Sequence, residues 1–151
     1  MGHLQTSRLI PAPIGEVYRH VVNPEHLTQW LTPGIEVEFP ETLPVLREQS
    51  EFTVRFRRFN KTVDAVFRVE EMKPRQRITY RQLSGFFKSW RHTQVLSVHD
   101  ENSTLLTDLV EFKLHYGIGG TLVDDLFASR DLGRILNQRL VRIEERFSGP
   151  G

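Results

Sequence analysis

The chain has 151 residues, with 20 basic and 19 acidic side chains, a formal charge of +1 and no cysteine. That length supports a single domain, residues 1–151, with a core of its own, and the near balance of charge argues against a dedicated nucleic-acid binder, which needs surplus cations to displace counterions. The lack of cysteine excludes disulfides, thiolate zinc sites and cysteine nucleophiles.

Residues 3–10, HLQTSRLI, suit a first strand, punctuated at its end by Pro11 and Pro13. This N-terminal stretch lacks the apolar core of a signal peptide, and no run approaches the roughly 20 apolar residues of a membrane helix. The expectation is a cytoplasmic protein without an integral membrane segment. Ile14, Val17, Tyr18, Val21 and Val22 recur at helical spacing. Asn23, Pro24 and Glu25 then offer a cap, a proline at the first helical position and an acid in the first turn, and Pro33-Gly34 ends that segment. Two short helices are therefore expected after the first strand.

Alternation of apolar and polar residues follows. Ile35, Val37 and Phe39 form one such set, Phe52, Val54 and Phe56 a second, and Val63, Ala65, Phe67 and Val69 a third. The last two are expected to form a hairpin across the turn at 59–62, with Phe56 opposite Ala65, Val54 opposite Phe67 and Phe52 opposite Val69. This register puts every apolar residue on one face. Pro74 ends the hairpin. Ile78 and Tyr80 mark another strand, Trp90 to Val98 another, and Thr104 to Leu114 the last. The breaker Tyr116-Gly-Ile-Gly-Gly120 precedes a capping-box-like Thr121 and Asp124. From Leu122 to Phe147 the apolar positions Leu122, Leu126, Leu132, Ile135, Leu136, Leu140, Ile143 and Phe147 predict a helix about 39 Å long. A curved antiparallel sheet of about six to seven strands, wrapped around that helix, buries both apolar faces and leaves room for a cavity between them.

The strand at 89–98, SWRHTQVLSV, raises the functional question. Its larger face carries Trp90, His92, Gln94, Leu96 and Val98, so a histidine and a glutamine are expected to point inward. The turn near Glu101 pairs Gln94 with Asp108, His92 with Val110 and Trp90 with Phe112. Asp108 thereby lies across from Gln94 and diagonal to His92, within cross-strand reach. A buried carboxylate needs a partner, and an imidazole or an amide can provide donors. Two readings stand side by side: a satisfied network that pins strand register, or a polar trio that lines a pocket and touches a ligand or moves a proton.

Tyr80, Gln82 and Arg58 share the inward parity of their strands. His20 and His26 fit no metal spacing and read as surface histidines. The GIGG stretch reads as a helix entry, since no βαβ unit surrounds it. Ser89 lacks a nucleophile elbow. Arg55, Arg57, Arg58 and Lys61 read as an exposed strand face, and Trp30 as a closing residue of the cavity or as core.

The segments IPAPIGEVYRHVVNPEHLTQW, VEEMKPRQRITYRQLSGFFKSWRHTQVL and STLLTDLVEF, with GIGGTLVDDLF and RDLGRILNQRL after them, resemble the START-like or SRPBCC superfamily. The nearest branch is the polyketide cyclase/dehydrase and lipid-transport type, with the Bet v 1-like helix-grip α+β fold. The resemblance covers almost the whole chain. It implies a deep apolar cavity that takes a small hydrophobic or amphipathic ligand, such as a lipid, a polyketide or a quinone, with neither metal nor cofactor required. On that basis the expected ligand-binding residues are Trp90, His92, Gln94, Asp108, Tyr80, Phe56, Phe67, Phe112 and Leu136, with Phe52, Val54 and Leu140 completing the walls. The candidates for catalysis, under a cyclase-type alternative, are His92, Asp108 and Tyr80. A third possibility is an interaction module whose ten phenylalanines fill the cavity. Either a monomer or a homodimer fits the sequence.

Overall fold

Strand-forming alternation dominates the chain, and in a computed structural model it resolves, among the described residues, into seven strands and two helices. The structure describes residues 2–23, 26, 36–43, 45–58, 60–85, 87–113 and 132–149, without the side chain of Arg58. The strands are Gly2–Ile10 (β1), Glu36–Glu38 (β2), Glu51–Arg58 (β3), Lys61–Lys73 (β4), Arg77–Ser84 (β5), Ser89–Asp100 (β6) and Ser103–Lys113 (β7). They form one antiparallel sheet in the order β1-β7-β6-β5-β4-β3-β2. The first strand thus closes onto the last. Register shifts near Val66 and Val69 in β4 and near Val98 in β6 interrupt the ladder, and bulges of this kind increase the local bend and twist of a strand.

The β6–β7 register is the expected one, with Gln94 opposite Asp108 and Trp90 opposite Phe112, but Val98, expected inward, is exposed next to the register shift at the strand's end. The β3–β4 register is not. Phe52 pairs with Phe67, Val54 with Ala65 and Phe56 with Val63, two residues away from the expected pairing. A slip of two keeps every side chain on its face, so the apolar pattern satisfies both registers equally. The turn decides between them. Arg58 pairs with Lys61, leaving two connecting residues, and Asn60 takes φ 65°. Two-residue hairpin turns call for that left-handed backbone, which asparagine tolerates better than most residues.

Helix α1, Ile14–Val21, starts after Pro13, has Glu16 in its first turn and buries Val17, His20 and Val21. It packs on β6 and β7. Helix α2, Leu132–Ser148, buries Leu132, Ile135, Leu136, Arg139, Leu140 and Ile143, a stripe at spacings of three and four, and lies against β1. Its two halves serve two apolar clusters. Leu132 and Ile135 join Phe52, Val54, Phe56, Ala65, Val69, Ile78 and Tyr80, whereas Leu140 and Ile143 join Ile10, Val17, Val21, Leu96 and Leu106. The second short helix, Trp30, the GIGG stretch, the Thr121 cap and the expected helical residues before Leu132 lie outside the described residues. Among the described residues no helix is long and apolar enough to cross a membrane.

Candidate functional site

At the junction of the two apolar clusters the inward face turns polar. His92 and Gln94 come from β6, Asp108 from β7, and α2 contributes Arg139 from directly above. All four are buried. Arg139 donates through Nη1 to both Asp108 oxygens, at 3.0 and 2.8 Å, and through Nη2 to Gln94 Oε1 at 2.7 Å. His92 Nε2 lies 2.9 Å from Asp108 Oδ1. Burial by itself pushes the Asp108 carboxyl up, but Arg139 and His92, by charge and hydrogen bond, hold it below the ordinary aspartate range. An ionised carboxylate only accepts, so His92 Nε2 carries a proton and donates it. In the neutral ring, Nδ1 is then an acceptor.

Arg139 is the partner that a buried Asp108 requires, and the sequence reading overlooked it. The signal was present: position 139 lies seven after Leu132, three after Leu136 and four before Ile143, in the middle of the apolar stripe. A charge at that place in a helix points at a buried counter-charge.

Three more polar atoms on this face are buried and have no hydrogen-bond partner: Tyr80 Oη, Gln82 Oε1 and Gln94 Nε2. Tyr80 pairs across the strands with His92, and Gln82 follows two residues along β5. Directly opposed Cβ atoms lie about 4.5–5.5 Å apart, and residues two apart along a strand about 7 Å. Tyr80 and Gln94 thus flank the His92 ring, whereas Gln82 lies beyond Tyr80, four residues along β5 from Ile78, the residue opposite Gln94. Burial is the main reason that the Tyr80 phenol is held well above the ordinary tyrosine range, so it remains protonated and can donate.

An aromatic wall adjoins the patch. Trp90, Phe67 and Phe112 face inward yet are only half-buried, and Phe56 and Leu136 are buried. Phe87, which the sequence reading did not select, swings in from the β5–β6 loop. It stacks on Trp90 at 4.7 Å between ring centres and meets Phe112 edge-on at 6.0 Å. Gln82 Nε2 holds the loop by donating to the Phe87 carbonyl at 2.8 Å. Gly85 makes this possible, with φ 152° and no room for a Cβ, which would sit 2.7 Å from Gln82 Oε1. Leu140 belongs with Val17 and Ile10 instead, away from the aromatic wall.

His20 is not a surface histidine. It is 8% exposed, stacks on His26 at 3.9 Å and meets Phe147 edge-on. Helix α1 turns it inward on the same face as Val17. Burial, then the charges of His26, Arg146 and Arg139, lower its pKa to about 4. Ser89 is exposed, and Arg55 pairs with Asp64 on the outer face, Nε to Oδ1 at 2.8 Å. No three His, Asp or Glu side chains gather as metal ligands among the described residues.

A family model described as polyketide cyclase / dehydrase and lipid transport matches residues 1–148. No curated protein matches. Among solved structures, the protein TTHA0849 from Thermus thermophilus is 24% identical with a TM-score of 0.69, each chain being 97% covered. A START superfamily protein from Mycobacterium smegmatis is 16% identical with a TM-score of 0.67, again covering 97% of each chain. The Zhui aromatase/cyclase from a Streptomyces species is 16% identical with a TM-score of 0.64, covering 96% of this chain and 94% of that one. At these identities the likeness is one of fold, and the fold is the START-like helix-grip.

Proposed function

Because the chain belongs to the polyketide cyclase / dehydrase and lipid transport family, we propose that it binds a small hydrophobic or amphipathic molecule between the sheet and α2. The ligand body lies against Phe67, Trp90 and Phe112. Its polar end meets His92, Tyr80 and Gln94. Apolar burial supplies most of the affinity, at about 25 cal/mol per Å² before ordering costs.

One observation carries the reading: Tyr80 Oη, Gln82 Oε1 and Gln94 Nε2 are buried without partners beside half-buried aromatic rings. An unsatisfied buried polar group costs about 1–3 kcal/mol. A purely structural network would be expected to close on itself. Here Arg139, Asp108, His92 and Gln94 Oε1 bond to one another and hold the helix to the sheet, whereas Tyr80 Oη, Gln82 Oε1 and Gln94 Nε2 stay outside that network.

The test uses the neutral fluorophore N-phenyl-1-naphthylamine with wild-type protein and Tyr80→Phe. The expected result is saturable uptake that the variant weakens several-fold while its melting temperature is unchanged or higher, since the lost hydroxyl bonds nothing in the protein. Absence of saturable uptake by the wild type refutes the proposal.

A second reading, cyclase-type chemistry in the same pocket, is favoured by the His92–Asp108 hydrogen bond. It leaves Nδ1 as a base whose tautomer Asp108 holds.

A further inference from the structure

The charges around the patch limit what the ligand head can be. Asp108 and Arg139 are the only permanently charged groups buried among the described residues. Each is committed to the other: both carboxylate oxygens accept from Arg139 Nη1, and Nη2 is taken by Gln94 Oε1. Arg8, the half-buried cation at the edge of the same face, pairs with Glu144. On the sheet side the atoms left over are a phenol, an amide oxygen, an amide nitrogen and an imidazole acceptor. They offer hydrogen bonds in both directions, and none of them carries a permanent charge. A carboxylate or phosphate brought to this patch loses its hydration without gaining a counter-ion, whereas a neutral oxygen function loses far less.

Deepening the binding reading above and resting on it, we propose that the pocket selects an uncharged head, such as a hydroxyl, ketone, quinone or amide. It discriminates against the free carboxylate of a fatty acid and against a phosphate. Asp108 is the residue that sets this preference, because it cancels the charge of the buried Arg139.

The experiment is displacement of bound N-phenyl-1-naphthylamine by 2-naphthamide and by 2-naphthoate, which share a ring system, at neutral pH. For the wild type, naphthamide should compete at least about tenfold better, the cost of an unpaired buried charge. In Asp108→Asn, which leaves Arg139 without its counter-charge, that ratio should fall toward unity or reverse. Naphthoate competing as well as naphthamide in the wild type overturns the inference while leaving the binding reading intact. So does an unchanged ratio in a folded Asp108→Asn protein. Should the variant fail to fold, the wild-type ratio decides alone. A dye that does not bind at all overturns the binding reading and this inference with it.

Discussion

Replacing Arg139 with methionine removes a group that connects α2 to the polar centre of the sheet. Three hydrogen bonds go with it, two to Asp108 and one to Gln94 Oε1. Asp108, fully buried, is left with His92 alone. Breaking a buried pair from one side costs about 3–5 kcal/mol, because the surviving charge loses its partner and does not regain water. Against a total stability of roughly 5–15 kcal/mol the loss is large. For a chain of this length it corresponds to a fall in Tm on the order of 10 °C. The further change Asp108→Leu in the same background should recover most of the loss, since an apolar pair of similar volume replaces the ions at little net cost. The cost of Arg139→Met should also shrink in acid, where the abandoned carboxyl takes up a proton instead of staying ionised. Urea unfolding of the wild type, both single variants and the double variant measures the coupling directly, with unchanged m values as the check that two-state comparison holds. A single-variant cost under about 1 kcal/mol, or simple additivity of the two substitutions, would refute the view that this pair anchors the helix.

Two further outcomes follow from local geometry. His20 has its pKa lowered to about 4 by burial and then by its electrostatic interactions with His26, Arg146 and Arg139. Between that value and the ordinary unfolded value near 6.5, the unfolded chain binds more protons, so stability falls as pH drops through this window, by on the order of 2 kcal/mol. His20→Phe keeps a ring against His26 and Phe147 but cannot titrate, so its stability–pH curve from pH 7 to 4.5 should be flatter than the wild type's; parallel curves would contradict the assignment. Gly85→Ala forces a side chain into a positive-φ backbone, with Gln82 Oε1 at 2.7 Å and the Ala65 Cβ at 3.0 Å. The expected loss is about 1–3 kcal/mol, seen as a Tm lowered by several degrees, and an unshifted melt would show that the loop accommodates the methyl group.

The sequence carried the fold because its strong signals were periodic ones. Period-two runs defined the strands, and the 3–4 spacing of Leu132, Ile135, Leu136, Leu140 and Ile143 defined the helix that crosses them. The inward placement of His92, Gln94 and Asp108 followed from parity together with one hairpin turn. The β3–β4 register did not follow, since a two-residue slip is invisible to parity and only the backbone of Asn60 distinguishes the alternatives. His20 was misjudged for a related reason. On a helix of eight residues its burial depends on which neighbours dock, and Phe147, 127 positions along the chain, is one of them. Phe87 lies in a loop, where no period marks a side chain as inward.

Arg139 shows why the candidate site was harder to read than the fold. A hydropathy pattern treats a charge in an apolar stripe as noise, yet burial reverses that reading: the stripe fixes where the side chain goes, and the charge fixes what it must find there. Leu136 and Ile143 bring position 139 onto the sheet, and Asp108 is the buried charge that meets it. Both Asp108 oxygens accept from Arg139, and one of them also bonds His92. In the binding we propose, its part is indirect, through the proton it holds on His92 Nε2 and the field it removes from Arg139. The open positions pass to Tyr80, Gln82 and Gln94, two of which lie on β5, the strand whose polar residues the sequence made least conspicuous. A substitution at Asp108 should therefore change which ligands bind, whereas one at Tyr80 should change how tightly they bind.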